Sequence, residues 1–294
     1  MINVNQESPI FVRGLSRSGG TLLVTLLDSH LQVSMSYELY PTVFDSSLTR
    51  EYAIELALLL EKGKFKKTLT DNIIPGFTKF ILRAERGGIS NKKLSELIAT
   101  HLNYYDDFQG RISKYEFIAM CCKYKMQNEE KLYWGSKCTN SYDEYLGIWP
   151  KSRFVNIVRD GRDVLASQLN TGDFKNSPSS LGKSWVSTHR RFRELMKNYP
   201  EQAFEIKYED LTANPEKELR LLMEKLKLSF DDRLLNHNSC DLTLFKSHHM
   251  SLDAIRKPIN ESKIGRWRKD LTSQQLEEFL AEAKYGLQEF GYEI

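Results

Sequence analysis

The chain has 294 residues, 40% of them hydrophobic, enough to bury one sizeable core. Its 42 Lys and Arg against 39 Asp and Glu leave a net charge of +3, which argues against a nucleic-acid binder and suits a pocket for a small, highly charged anion. The cysteines Cys121, Cys122, Cys138 and Cys240 form no C-x-x-C pair with a His cluster, which argues against zinc and for a reduced, cytosolic-type compartment.

In chain order, Met1 to Pro9 is polar and lacks the basic start and apolar stretch of a signal peptide. The apolar run Ile10 to Val12 predicts a buried strand closed by Gly14. A glycine loop from Leu15 to Gly20 follows, then a helix over Thr21 to Asp28 with Leu22, Leu23, Leu26 and Leu27 on one face. A second helix is predicted over Glu51 to Lys62. Its apolar stretch, Ala53 to Leu60, is too short to span a bilayer. The region from Lys64 to Glu130 reads as mostly helical. Phe154 to Val158 predicts a strong strand ending at Arg159-Asp160, with a helix from Asp163 to Leu169 directly after it. A longer helix is expected over Leu181 to Asn198 and a third strand over Phe204 to Tyr208. Asn214-Pro215 then opens another helix, with Asn at the N-cap and Pro in the first turn. Leu276, Phe279, Leu280, Ala283, Leu287 and Phe290 keep helical spacing near the end.

This alternation predicts an α/β fold with a central, mainly parallel sheet covered by helices on both faces, as one domain over residues 1–294. A cytoplasmic location, with no membrane insertion and no nucleic-acid partner, is expected. Ligands of such sheets bind beyond the carboxyl ends of the strands. Two predicted strands end in polar clusters, Arg17 to Thr21 and Arg159 to Arg162, which puts both clusters on one edge.

In Gly14-Leu15-Ser16-Arg17-Ser18-Gly19-Gly20-Thr21-Leu22-Leu23, glycines free backbone N–H groups to turn towards an anion, and the helix start adds positive partial charge. Ser18 and Thr21 add hydroxyls. An ordinary βα turn is the competing reading. The Gly-Lys-Ser/Thr ending of a Walker A loop is missing, so the lysine and metal-binding hydroxyl of a kinase have no counterpart, and Arg17 supplies the charge.

These residues, with Leu27-Asp28-Ser29-His30 after them, resemble the 5′-phosphosulfate loop of the sulfotransferases that use 3′-phosphoadenosine-5′-phosphosulfate (PAPS). The family often has Thr where Gly20 stands, which loosens the loop but keeps its backbone donors. Ile157-Val158-Arg159-Asp160-Gly161-Arg162-Asp163-Val164-Leu165-Ala166-Ser167 resembles the family's 3′-phosphate motif. Arg159 can pair bidentately with a phosphate and Ser167 can donate to it; a charged turn with Asp163 capping the helix is the alternative. Arg256 to Asn260 and Ile264 to Arg268 resemble the C-terminal loop that closes over the nucleotide, with Arg266 on the phosphates and Trp267 as a packing anchor. Ile206 to Leu211 resembles the strand near adenosine, where Tyr208 packs either on adenine or in the core.

The resemblance implies a P-loop-like, three-layer fold and transfer of a sulfuryl group from PAPS to an acceptor hydroxyl, leaving PAP, with no metal. Donor contacts fall to Arg17, Ser18, Gly19, Gly20, Thr21, Leu22, Arg159, Ser167, Tyr208, Ser251 and Arg266. Glu38 matches the functional Glu of protein-tyrosine sulfotransferases and is the candidate base; a surface carboxylate is the bland alternative and His101 the rival base. His30 resembles a structural position. Lys137 resembles the family's Lys just before a core strand and, with Arg17, would stabilise the leaving oxygen. Acceptor choice falls to 42–130, with its basic run Lys62 to Lys67 and Tyr104-Tyr105-Asp106-Asp107, and to 171–180. The acceptor is tyrosyl, sugar or small metabolite, and the oligomeric state is left open. The rivals are a P-loop kinase-like phosphotransferase and a nucleotide-binding protein without catalysis.

Overall fold

The computed structural model describes residues 7–39, 50–63, 77–104, 114–172, 176–242, 244 and 255–294. Its described elements run β1 (Ile10–Arg13), α1 (Gly20–Ser29), β2 (Val33–Ser36), α2 (Arg50–Glu61), α3 (Phe77–Arg86), α4 (Asn91–Tyr104), α5 (Lys114–Asn128) and β3 (Tyr133–Lys137). They continue with α6 (Tyr142–Ile148), β4 (Arg153–Val158), α7 (Gly161–Thr171), α8 (Pro178–Asn198), β5 (Ala203–Lys207), α9 (Tyr208–Ala213), α10 (Pro215–Lys225), α11 (Trp267–Asp270) and α12 (Ser273–Glu289). Parallel strands flanked by helices carry the fold. The chain divides into two compact units, one of Met1–Leu23, Thr139–Asn236 and Lys257–Ile294, the other of Val24–Cys138 and His237–Arg256.

In the first unit β4 pairs in parallel with β1 on one side and β5 on the other, Phe11 opposite Phe154 and Val155 opposite Phe204. All six residues of β4 are buried. Burial on both faces fits its sequence, Arg-Phe-Val-Asn-Ile-Val, which places apolar pairs side by side rather than alternating apolar with polar. On one part of this unit Phe11 stacks on Phe154 with ring centroids 5.6 Å apart and meets Tyr145 at 4.6 Å. Elsewhere Val158, Val164, Leu165, Leu181, Trp185, Phe279, Leu287 and Phe290 form a second buried cluster. Here α8 and α12 approach closely: a Cβ on Gly182 would lie 2.9 Å from the Phe279 carbonyl oxygen, and one on Gly286 2.5 Å from Val186. Truncating a buried aromatic such as Trp185 costs about 3–5 kcal/mol by transfer and cavity terms.

In the second unit β2 and β3 pair in parallel, Ser36 opposite Ser136. A buried ionic network fixes β2. The Lys125 ammonium donates to Asp28 Oδ1 at 2.7 Å and to Glu129 Oε2 at 2.9 Å, and the Met35 amide donates to the same Asp28 oxygen at 2.7 Å. Such a network is costly to break, because removing one partner leaves a buried charge unpaired. Among the helices, Ser95 donates to the Ala57 carbonyl at 2.6 Å, and Phe80 meets Phe117 at 5.9 Å.

The predicted strands and helices of 10–62 and 154–290 are present with ends shifted by up to three residues, and α3, α4 and α5 make the described part of 64–130 mostly helical, as expected. Two strands were not expected, β2 and β3. Their sequences, Val-Ser-Met-Ser and Tyr-Trp-Gly-Ser-Lys, are short and carry polar or small residues although they are almost wholly buried. Tyr208 opens α9 instead of closing β5. No described helix is long and apolar enough to cross a membrane.

Candidate active site

The loop between β1 and α1 is shaped by two residues with left-handed backbone, Arg17 (φ 77°) and Gly19 (φ 93°). Gly19 meets a second demand, because a Cβ there would sit 2.5 Å from Tyr208 Cδ2. No other residue type fits both the dihedral and the space. A turn bond from the Ser18 amide to the Leu15 carbonyl (3.0 Å) and one from Gln168 Nε2 to the Ser16 carbonyl (3.1 Å) hold the loop. The Ser18 hydroxyl is fully buried and has no hydrogen-bond partner among the described residues. Gly20, Thr21 and Leu22 form the first turn of α1, whose amides have no partner within the helix.

The motif after β4 interlocks with this loop. Arg17 Nε donates to Ser167 Oγ at 3.0 Å, and Arg159 Nη1 donates to the Arg17 carbonyl at 3.1 Å. Arg159 is only 4% exposed. Its Nη2 donates to the Lys263 carbonyl, its guanidinium lies 4.6 Å over the Tyr208 ring, and its Nε is buried without a partner among the described residues. Two buried donors therefore stand unused in one small region, which is costly unless a ligand accepts from them. Tyr208 lies between Arg159 and Gly19, so its core role and its place beside the candidate donor loop coincide. The helix-capping role that the alternative reading gave to Asp163 belongs to Asp160, which accepts from the Arg162 amide at 2.9 Å. Asp163 turns instead to the C-terminal segment and accepts from the Gly265 and Trp267 amides. Trp267 is the packing anchor expected, held between the guanidiniums of Arg162 (4.2 Å) and Arg268 (4.5 Å). Arg266 is paired with Asp270 at 2.6 Å, a bond that contact with a phosphate would have to replace.

In the other unit Glu38 and Lys137 come together. Glu38 follows β2 and Lys137 is the last residue of β3, where it was expected just ahead of a strand. Parallel pairing of these strands sets the two residues side by side at the carboxyl ends, with Lys137 Nζ 2.6 Å from Glu38 Oε1. Arg83, from α3, stands 3.4 Å from Glu38 Oε2. It was not foreseen, since nothing local in the sequence ties a helical Arg to Glu38. Burial pushes the Glu38 pKa up, but the Lys137 charge and hydrogen bond and the Arg83 charge outweigh it and hold the carboxyl below its usual range. Glu38 has a left-handed backbone (φ 44°), unusual for a non-glycine residue and typical of strain kept at functional sites. His30 accepts from the Gln32 amide at 3.0 Å within a turn, a structural role as expected. The Ser251 position, the His101 side chain and the segments 64–67 and 105–107 lie outside what is described.

The Sulfotransferase family model matches residues 9–232. The chain belongs to the sulfotransferase family. Among its relatives, a putative protein-tyrosine sulfotransferase of Caenorhabditis briggsae is 22% identical over 279 residues, covering 90% of this chain and 81% of the relative. Protein-tyrosine sulfotransferase A of Caenorhabditis elegans is 23% identical over 273 residues, covering 90% of this chain but 62% of that protein. Among solved structures, the sulfotransferase domain of the Synechococcus PCC 7002 olefin synthase aligns with a TM-score of 0.58 at 18% identity, over 99% of this chain and 98% of the domain. The sulfotransferase domain from the curacin biosynthetic pathway gives the same TM-score, 0.58, at 16% identity over 99% of each chain. The fold is thus the α/β fold of sulfotransferases.

Proposed function

We propose that this sulfotransferase works as one catalytic domain that uses PAPS and transfers its sulfuryl group in line to an acceptor hydroxyl. The observation that carries this reading is the pair of buried, unpartnered donors, Ser18 Oγ and Arg159 Nε, within the Arg17–Ser167–Arg159 interlock. The first suits the phosphosulfate and the second the 3′-phosphate, with Ser167 donating beside Arg159, Tyr208 packing near the adenosine and the α1 amides on the 5′ side. Arg266 and Ser251 complete the donor contacts.

In the transfer, Glu38 takes the proton of the acceptor hydroxyl as the new O–S bond forms. The S–O bond to the bridging oxygen breaks, and PAP leaves with the electron pair on that oxygen. Lys137 and Arg17 stabilise the developing charge. Arg83 and Lys137 keep Glu38 ionised, ready to accept a proton, until substrate arrives. Positioning and electrostatics supply the rate, as in phosphoryl transfer, and no divalent metal takes part. Activity should survive EDTA; loss on chelation with rescue by magnesium would contradict this. A tyrosyl hydroxyl is the first acceptor to screen, because the relatives named above are protein-tyrosine sulfotransferases. A cytoplasmic place of action is part of the proposal, and fractionation of the native host checks it.

Calorimetry with PAP, ADP and ATP tests the donor. A charge-assisted hydrogen bond is worth about 1.5–3 kcal/mol, so PAP should bind roughly tenfold or more tighter than ADP. Equal affinities would remove the PAPS reading, and magnesium-dependent ATP binding would favour a phosphotransferase.

A further inference from the structure

The segment from Lys257 to Lys263 is almost entirely exposed, yet the chain just beyond it is anchored by a fully buried carboxylate. Asp163 Oδ2 accepts from the Gly265 amide at 2.8 Å, and its Oδ1 accepts from the Trp267 amide at 3.0 Å. The same carboxylate lies 3.6 Å from Arg159 Nη2, one helical turn back. Gly265 reaches this arrangement with a left-handed backbone, φ 71°. Since Asp160 already caps α7, Asp163 is not needed as a cap.

Arg159 has three nitrogens to place. Nη1 is committed to the Arg17 carbonyl and Nη2 to the Lys263 carbonyl and Asp163, which leaves Nε buried and unused. A guanidinium is planar, so fixing two nitrogens fixes the direction of the third.

We propose that Asp163 is a positioning residue for the donor's 3′-phosphate: it latches the segment around Gly265–Trp267 to the head of α7 and so aims Arg159 Nε at the phosphate. The proposal rests on the reading of Arg159 as the 3′-phosphate contact. Burial raises the pKa of the Asp163 carboxyl, while the two amides and Arg159 pull it back, so the latch opposes an unfavourable burial. Its work is also selective. ADP lacks the 3′-phosphate, so mis-aiming Arg159 affects PAP and spares ADP.

The test uses the full chain with Asp163→Asn, which keeps size but removes the charge and one acceptor. Two readouts are taken: calorimetric affinity for PAP and for ADP, and tryptic cleavage after Arg256 and Lys263 without nucleotide. Expected are about tenfold weaker PAP, ADP changed by less than about twofold, and cleavage faster by about fivefold. A merely structural role would weaken both nucleotides together, and that outcome, or unchanged cleavage and PAP affinity, overturns the proposal. If the Asn variant does not fold, Asp163→Glu keeps the charge but shifts the oxygens by one methylene, and the same two outcomes decide. Wild-type protein that does not prefer PAP over ADP would overturn the donor reading instead, and the cleavage arm would still judge the latch.

Discussion

The two regions to which the proposed function gives donor binding and proton transfer are built by different means. Around Arg159, main-chain carbonyls do most of the placing: the Arg17 and Lys263 carbonyls accept from the guanidinium, with Asp163 3.6 Å from its Nη2, and the Arg159 carbonyl in turn accepts from Trp185 Nε1 at 2.9 Å. Around Glu38, charge does it: one carboxylate shared by Lys137 and Arg83. A site that only binds a constant anion gains from rigid, preorganised donors. A site that must exchange a proton and then release its leaving group gains from ion pairs that regroup when substrate enters.

The largest effect should separate the two regions. Glu38→Gln should lower single-turnover transfer from labelled PAPS by roughly 10²–10⁴-fold while leaving PAP affinity near wild type, and Lys137→Ala should cost a similar factor. The acceptor in that assay is a tyrosine peptide or other hydroxyl found by screening. Near-normal turnover of Glu38→Gln would end the base assignment and make His101→Ala the next variant.

Arg159→Ala should do the converse. PAP should weaken by about tenfold or more, ADP should hardly change, and turnover at saturating PAPS should fall less than for Glu38→Gln. If saturating donor does not recover most of the rate, the division between a binding region and a reacting region fails.

A smaller effect tests the shared carboxylate. Because the Glu38 pKa is held below the usual range, activity should persist as pH falls and be lost only on passing through that lowered value. Arg83→Met removes one of the two cations, so the acid limb of the pH–rate profile should move to higher pH, and Arg83→Lys should restore it. An unmoved limb would leave Lys137 as the sole tuner.

The smallest effect concerns stability of the donor region. Burial first, then the Arg13 and Arg193 charges, lower the His189 pKa from 6.5 to about 3. The unfolded chain takes up this proton near its ordinary value, whereas the native state does so only at about 3. Stability should therefore decline as pH drops through that window. Urea midpoints at pH 7 and pH 5 should differ less in His189→Gln than in wild type, and an equal difference would locate the acid sensitivity elsewhere.

The framework of the proposed binding region was largely legible in the sequence because its parts are local. A buried strand, a glycine loop and a helix start lie within Ile10 to Ser29, and Arg159 to Ser167 repeats the pattern after β4. The reacting region was legible only through family resemblance at Glu38 and Lys137. Arg83 gave no local signal, because its meeting with Glu38 depends on how a distant helix packs. β2 and β3 stayed hidden for a related reason. They pack against α5, and neither has an apolar run of its own. Asp163 looked like a cap since Asp near a helix start usually is one; its partners at 265 and 267 lie about a hundred residues away.

The unit that holds the loop of Arg17 is made of three separated stretches of chain. Its closing bonds come from the last few residues: Arg162 donates to the Glu293 carbonyl at 2.7 Å, and the Tyr292 hydroxyl donates to Glu209 at 3.0 Å. During synthesis β1 and its loop emerge well before β4, β5 and α12, the elements that complete this unit. Until Tyr292 appears, Glu209 lacks a donor it needs for burial, and Trp185 lacks the edge of Phe290, 5.3 Å away in the finished fold. On the proposed PAPS reading, nascent chains stalled before α12 should therefore retain no PAP.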